Sequence, residues 1–151
     1  MYLRVYYKDN VKSLNYQTDG ASGLDLASYD DCIVPSGKMA MIPTGIYCII
    51  PNNYEGQIRM HSGLACKGIM LANGVGTIDA DFRGELKVLL YNNTNENYRI
   101  YKGDRIAQLV IAPIVKPEIV VFKDFNEFQE ESITSRGTNG FGHTGVQWQI
   151  I

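Results

Sequence analysis

Apolar and polar positions alternate along this chain in short runs, not in helical turns. Leu3 to Tyr7 (LRVYY) alternates strictly. Lys38 to Pro43, Ile46 to Ile50, Gln57 to Met60, Glu85 to Tyr91, Arg105 to Ala112 and Glu118 to Phe122 are further short runs rich in Val, Ile, Leu and Tyr. Many carry the period of two expected of half-buried strands. Turn chemistry separates them: Pro35-Ser36-Gly37, Pro43-Thr44-Gly45, Pro51-Asn52-Asn53, Asn92-Asn93 and Lys102-Gly103-Asp104. No stretch sustains a 3.6-residue period, and the best helical candidate is one or two turns around Gly63 to Lys67. The pattern predicts an all-β fold, a barrel or sandwich, with one very short helix. Residues 1–131 are expected to form the β domain, and 132–151, polar and glycine-rich to Gly145, a flexible C-terminal arm.

Composition narrows the function. A chain of 151 residues is long enough to bury a core without covalent staples. Fourteen Lys and Arg against sixteen Asp and Glu give a net charge of −2, which excludes a sequence-blind nucleic-acid binder. No apolar run approaches a membrane span, and the opening MYLRVYYKDN lacks the apolar centre of a signal peptide, so a soluble cytoplasmic protein is expected. Cys32, Cys48 and Cys66 are odd in number and widely spaced. With only two histidines beside them, neither a disulfide framework nor a structural zinc site is indicated.

The densest chemistry lies in LANGVGTIDADFRGE, Leu71 to Glu85. Two glycines flank Val75, as a tight hairpin would need. Asp79 and Asp81 follow two apart, which on a strand would point both carboxylates to one face and raise the pKa of one. Such a carboxylate can accept a proton from water; the plainer reading is that both aspartates end a strand and solvate a turn. A second signal is SRGTNGFGHTG, Ser135 to Gly145. Gly140, Gly142 and Gly145 satisfy G-x-G-x-x-G, but they follow no strand, open no helix and leave too little chain for a dinucleotide-binding unit. An arginine, a phenylalanine and a hydroxyl among glycines would instead suit a lid over a nucleotide. Taken alone, the segment reads as a disordered tail.

Three further segments join these two in order: ASGLDLAS (Ala21 to Ser28), GQIRMHSGLACKGI (Gly56 to Ile69) and GDRIAQL (Gly103 to Leu109). The set of five resembles the ordered motifs of the trimeric deoxyuridine triphosphatases. The resemblance implies a distorted jelly-roll-like β-barrel and a homotrimer with active sites shared at subunit interfaces, each closed by a C-terminal arm. It also implies Mg²⁺-dependent hydrolysis of dUTP to dUMP and pyrophosphate, which keeps uracil out of DNA and supplies dUMP for thymidylate synthesis.

By the same resemblance, Asp79 matches the general base for water attacking the α-phosphorus. Asn73 and the hairpin backbone through Gly76, Thr77 and Ile78 match the uracil pocket, and Phe82, where the family usually carries tyrosine, matches the floor under the deoxyribose. Asp25 matches the aspartate that holds Mg²⁺ through its water ligands. Ser62 and Gly63 match contacts to the α- and β-phosphates, and Gln108 a glutamine near the triphosphate. Arg136, Phe141, Gly142, His143 and Thr144 match the arm's phosphate clamp, base-stacking ring and trailing contacts. Lys87 matches a substrate-side position in some relatives, though an outward strand lysine is an equal reading.

Motif two departs from the family pattern, with Met60 and His61 where proline and arginine usually stand. Arginine is always charged and can pair with phosphate through two nitrogens, whereas histidine is mostly neutral at pH 7. His61 is expected still to touch phosphate, with Arg59 partly restoring the charge; packing at a subunit interface is the other reading. Val146 to Ile151, with the only tryptophan, extends past the last motif. Two alternatives remain: a catalytically weakened dUTP-binding or signalling protein on the same scaffold, and a dCTP deaminase-like enzyme. Arg136 with Phe141 speaks against the latter.

Overall fold

A computed structural model describes residues 1–141, 143 and 145. Eleven strands and two short helices follow the turn chemistry of the sequence. In chain order they are β1 (Arg4–Tyr7), β2 (Leu24–Ala27), β3 (Cys32–Val34), β4 (Met39–Pro43), β5 (Ile46–Ile49), β6 (Tyr54–Met60), α1 (Ser62–Ala65), β7 (Ile69–Leu71), β8 (Gly76–Ile78), β9 (Lys87–Asn92), β10 (Tyr98–Ile100), β11 (Arg105–Pro113) and α2 (Phe125–Glu131). All strand pairs are antiparallel, in four sheets ordered β1-β5, β10-β3, β2-β11-β6-β8 and β4-β9-β7.

The expected period of two is visible in burial. On β9, Val88, Leu90 and Asn92 are buried while Lys87 faces solvent. Leu26, Ile42, Ile46, Ile69, Leu86, Leu90, Ile106 and Leu109 form the fully buried centre of one apolar core. Each such side chain contributes roughly 1.5–3 kcal/mol relative to exposure. The chain reverses into β5 at Gly45, whose φ of +71° is a conformation that suits glycine.

The compact unit carrying this core is Met1–Val115, and a second unit begins at Lys116. Two expectations fail in the second unit. Glu118 to Phe122 forms no strand: Ile119, Val120 and Val121 are exposed, and β-branched side chains do not make a strand without a ladder to join. Among the described residues there are also two short helices where one was expected. α2 is capped by Asp124, whose carboxylate accepts from the Asn126 amide at 2.6 Å, and Glu127 lies in its first turn. Phe128 packs against Phe122 and Phe125.

Candidate active site

The sheet β2-β11-β6-β8 carries one polar row across three of its strands. Gln108 on β11 stands opposite Asp25 on β2 and opposite Arg59 on β6, so the three side chains share its outer face while Leu24, Leu26, Ile58 and Leu109 fill the core side. Arg105 Nη1 reaches the Asp25 carboxylate at 3.1 Å, with Asp25 the more enclosed partner. Gln108 Nε2 donates to the Met60 carbonyl at 3.4 Å.

Along β6 the same face forms a ladder. Arg59 donates from Nε and Nη2 to Gln57 Oε1 at 3.0 and 2.6 Å, and Gln57 Nε2 donates to Glu55 at 2.6 Å. At its end His61 is the residue before α1, without a side-chain capping bond, and its ring lies beside Gly63. Leu64 anchors this turn in the core. Ser62 and Gly63 are left exposed at the same end of the sheet as Gln108.

The hairpin motif forms a second cluster. A tight turn at Asn73-Gly74 leads into β8, Gly74 having φ +68°. Gly76 is buried against Ile58 with Asn73 Nδ2 beside it; Thr77 faces outward next to Gln57, and Ile78 turns its side chain into the core. Ile78 can therefore offer a ligand only its backbone. β8 ends there, and Asp79 to Phe82 make a reverse turn closed by the Phe82 amide on the Asp79 carbonyl at 3.1 Å. The expected shared strand face for Asp79 and Asp81 is thus corrected: Asp81 lies inside the turn. Arg83 Nη1 braces it through the carbonyls of Ala80 and Phe82, at 2.7 and 2.8 Å.

Gly76 stands beside Ile58, but the Asp79 end of the hairpin is far from His61 within one chain. Ile78 stands opposite Gly56, and His61 lies five residues further along β6, which at about 3.3 Å per residue is about 17 Å. Asp79 lies further still. Lys87 opens β9 on the outer face of a different sheet. In the second unit, Arg136 Nε is folded onto the Asn139 carbonyl at 2.9 Å, and Phe141 is fully exposed at φ +46°. The His143 amide bonds the Gly140 carbonyl at 3.2 Å. Gly142, Thr144 and the extension from Val146 to Ile151 lie outside the described residues.

Residues 9–145 match the dUTPase family. The chain belongs to the dUTPase family. A deoxyuridine 5'-triphosphate nucleotidohydrolase of Nautilia profundicola is 49% identical over 146 residues, covering 91% of this chain and 99% of the relative. Among solved structures, a mutant dUTPase of Staphylococcus bacteriophage 80alpha with dUpNHpp aligns with a TM-score of 0.85 at 28% identity, covering 96% of this chain and 99% of that one. A mutant dUTPase of phage phi11 of S. aureus, described for its coordination of a structural Mg(II) ion, aligns at 0.76 with 25% identity, covering 83% and 99%. The all-β, jelly-roll-like architecture expected from the sequence is that of the family.

The motifs mark Arg59 only as a compensating charge beside His61 and give Arg105 no role, yet Arg59 stands in the polar row and Arg105 bonds Asp25 within it. The signal for both was register: Arg105 brackets Asp25, and Arg59 flanks Gln108. Among the described residues no three His, Cys, Asp or Glu side chains gather into a metal cage. A single carboxylate, Asp25, with one oxygen already held by Arg105, fits an ion that takes most of its ligands from water and phosphate, as Mg²⁺ does.

Proposed function

We infer that this member of the dUTPase family is a dUTP diphosphatase, hydrolysing dUTP to dUMP and pyrophosphate. The observation that carries this is the family match over residues 9–145, which includes all five motifs. The structure supports a division of labour among them. The hairpin from Asn73 to Ile78 offers backbone donors and acceptors to a uracil edge; cytosine would leave groups unpaired there, at about 1–3 kcal/mol each. Phe82 underlies the deoxyribose. Asp79, exposed at the mouth of the hairpin, takes a proton from the water that attacks the α-phosphorus. His61, Ser62, Gly63, Arg59 and Gln108 receive the phosphates, and Arg136, Phe141, Gly142, His143 and Thr144 close over them.

Asp25 would hold Mg²⁺ through its water ligands, and the bound ion would offset the charge of the triphosphate.

The separation of Asp79 from Ser62 favours a site built from more than one chain. A base acting at the α-phosphorus and the groups that hold that phosphate must lie within a few ångströms of each other, and about 17 Å of strand forbids this within one copy. A homotrimer with shared sites meets the requirement. The outer face of β4-β9-β7 supports association: Met39, Tyr91 and Met70 stand in one row with Met41 and Leu89 beside them, and the three methionines are exposed. Three unpaired cysteines suit the reducing cytoplasm. Among the described residues no helix is long and apolar enough to cross a membrane.

Pyrophosphate release from dUTP, dCTP, dTTP and UTP, with and without Mg²⁺, tests the reading. Release from dUTP alone, dependent on Mg²⁺, is expected. Ammonia release from dCTP would transfer the chain to the deaminase alternative, and tight dUTP binding without turnover to the binding-protein one.

A further inference from the structure

Gly84 is not among the glycines held at positive φ, so its backbone would accept any residue. What it lacks is room. A methyl group built there would lie 2.5, 3.0 and 3.3 Å from Phe82 Cζ, Cε2 and Cε1, and these ring atoms are its three nearest neighbours. Carbon atoms pack at about 3.5–4.0 Å, so the Phe82 ring occupies the space a side chain at 84 would claim. Phe82 is 42% exposed, with the tip of its ring against the backbone two residues ahead of it. The Arg83 guanidinium, bonded to the Ala80 and Phe82 carbonyls, fixes the backbone that carries the ring but not the ring itself. We propose that Gly84 is a positioning residue for substrate discrimination, its bare α-carbon leaving the space that the tip of the Phe82 ring occupies.

This rests on the reading of Phe82 as the floor under the deoxyribose, where the ring's height decides whether a 2′-hydroxyl fits. A methyl at 84 lifts or swings the ring and leaves the rest of the fold alone, because the ring is the mobile end of an exposed side chain.

The test is a double-mutant cycle of Gly84→Ala and Phe82→Ala, reading kcat/KM for dUTP and for UTP together with the thermal midpoint. Gly84→Ala is expected to narrow the dUTP-to-UTP preference about tenfold with its midpoint little changed, and to add nothing in the Phe82→Ala background. If Phe82→Ala narrows the preference and Gly84→Ala does not, the role of Gly84 is overturned while the floor survives. An unchanged preference in Phe82→Ala overturns both. An effect of Gly84→Ala that persists without the ring, or a lost midpoint that Phe82→Ala does not restore, shows the methyl meeting something else and also overturns the proposal.

Discussion

Ile78 stands opposite Gly56 in the β6-β8 ladder, which sets the hairpin that leads to Asp79 at the far end of the strand from His61. On the proposed reading, the general base and the phosphate contacts of one chain serve different sites. Asp79→Asn and Ser62→Ala chains should each be nearly inactive as pure proteins. Unfolded together in equal amounts and refolded, they should recover about a quarter of wild-type sites, since half the chains supply an intact Asp79 and half an intact Ser62. No recovery in refolded mixtures that are demonstrably mixed trimers would place the whole site in one chain.

Asp25 is the one carboxylate of the polar row, and Arg105 holds only one of its oxygens. Asp25→Asn keeps the shape and removes the charge that attracts a hydrated cation. The Mg²⁺ concentration for half-maximal pyrophosphate release should rise at least about tenfold, as is usual when a group that orients a metal's ligands is lost. An unchanged Mg²⁺ requirement would remove Asp25 from the metal's surroundings.

His61 occupies a position from which its ring, beside Gly63, can meet an anion arriving at the first turn of α1. A hydrogen bond to a charged group is worth roughly 1.5–3 kcal/mol, so His61→Ala should lower kcat/KM for dUTP by about 10- to 100-fold while the thermal midpoint holds. His61→Arg should instead raise kcat/KM, by supplying a permanent charge with a second donor. Wild-type kinetics in His61→Ala would leave the ring as interface packing.

The three cysteines should differ sharply in reactivity. Burial raises the Cys48 thiol above its usual 9.0, against a smaller opposing pull from the Arg83 guanidinium, while Cys66 is exposed. Folding thus favours the protonated Cys48. That contribution is complete below pH 9 and is lost as pH rises through the higher folded-state value. Alkylation of the native protein at pH 8, read by mass spectrometry, should label Cys66 well before Cys48. Equal labelling would mean that β5 opens freely.

Much of the fold was legible because strands of five residues or more announce themselves by alternation: β4, β6, β9 and β11 all lie within or across the expected runs. The strands not foreseen, β2, β3, β7, β8 and β10, have three or four residues; β1 and β5 are as short, but runs of Val, Ile and Tyr extending past them mark them out. Partners distant in sequence make the unforeseen ones strands. The site divides similarly. The motifs name candidates for it, but motif order does not contain the register that sets Asp25, Gln108 and Arg59 in one row and Asp79 far from Ser62. α2 was missed although Asp124 and Glu127 have the spacing of a capping box, because only seven residues follow the cap.

Asn92 shows how a correct local signal can understate a residue. Asn92-Asn93 reads as turn punctuation, yet Asn92 is wholly buried at the end of β9. Its Nδ2 donates to the carbonyls of Val34 and Glu96 at 2.9 and 2.7 Å, and its Oδ1 accepts from the Thr94 amide and hydroxyl at 2.9 and 2.7 Å. One side chain thereby ties the loop after β9 to the end of β3. Asn92→Ala would remove the donor to the buried Val34 carbonyl and the acceptor of the Thr94 amide and hydroxyl, which should cost about 3 kcal/mol. The urea midpoint should fall with an unchanged slope if the loss is confined to the native state. Asn92→Asp preserves the volume and the acceptor but removes both N–H donors and turns a charge toward two carbonyls. It should be at least as damaging at neutral pH and should recover on acidification, as the carboxyl takes up the proton that restores one donor. Equal stability of Asn92→Asp and wild type at neutral pH would show that the loop from 93 to 97 is held without the Asn92 amide, by Ser36 and the backbone bond of Asn93.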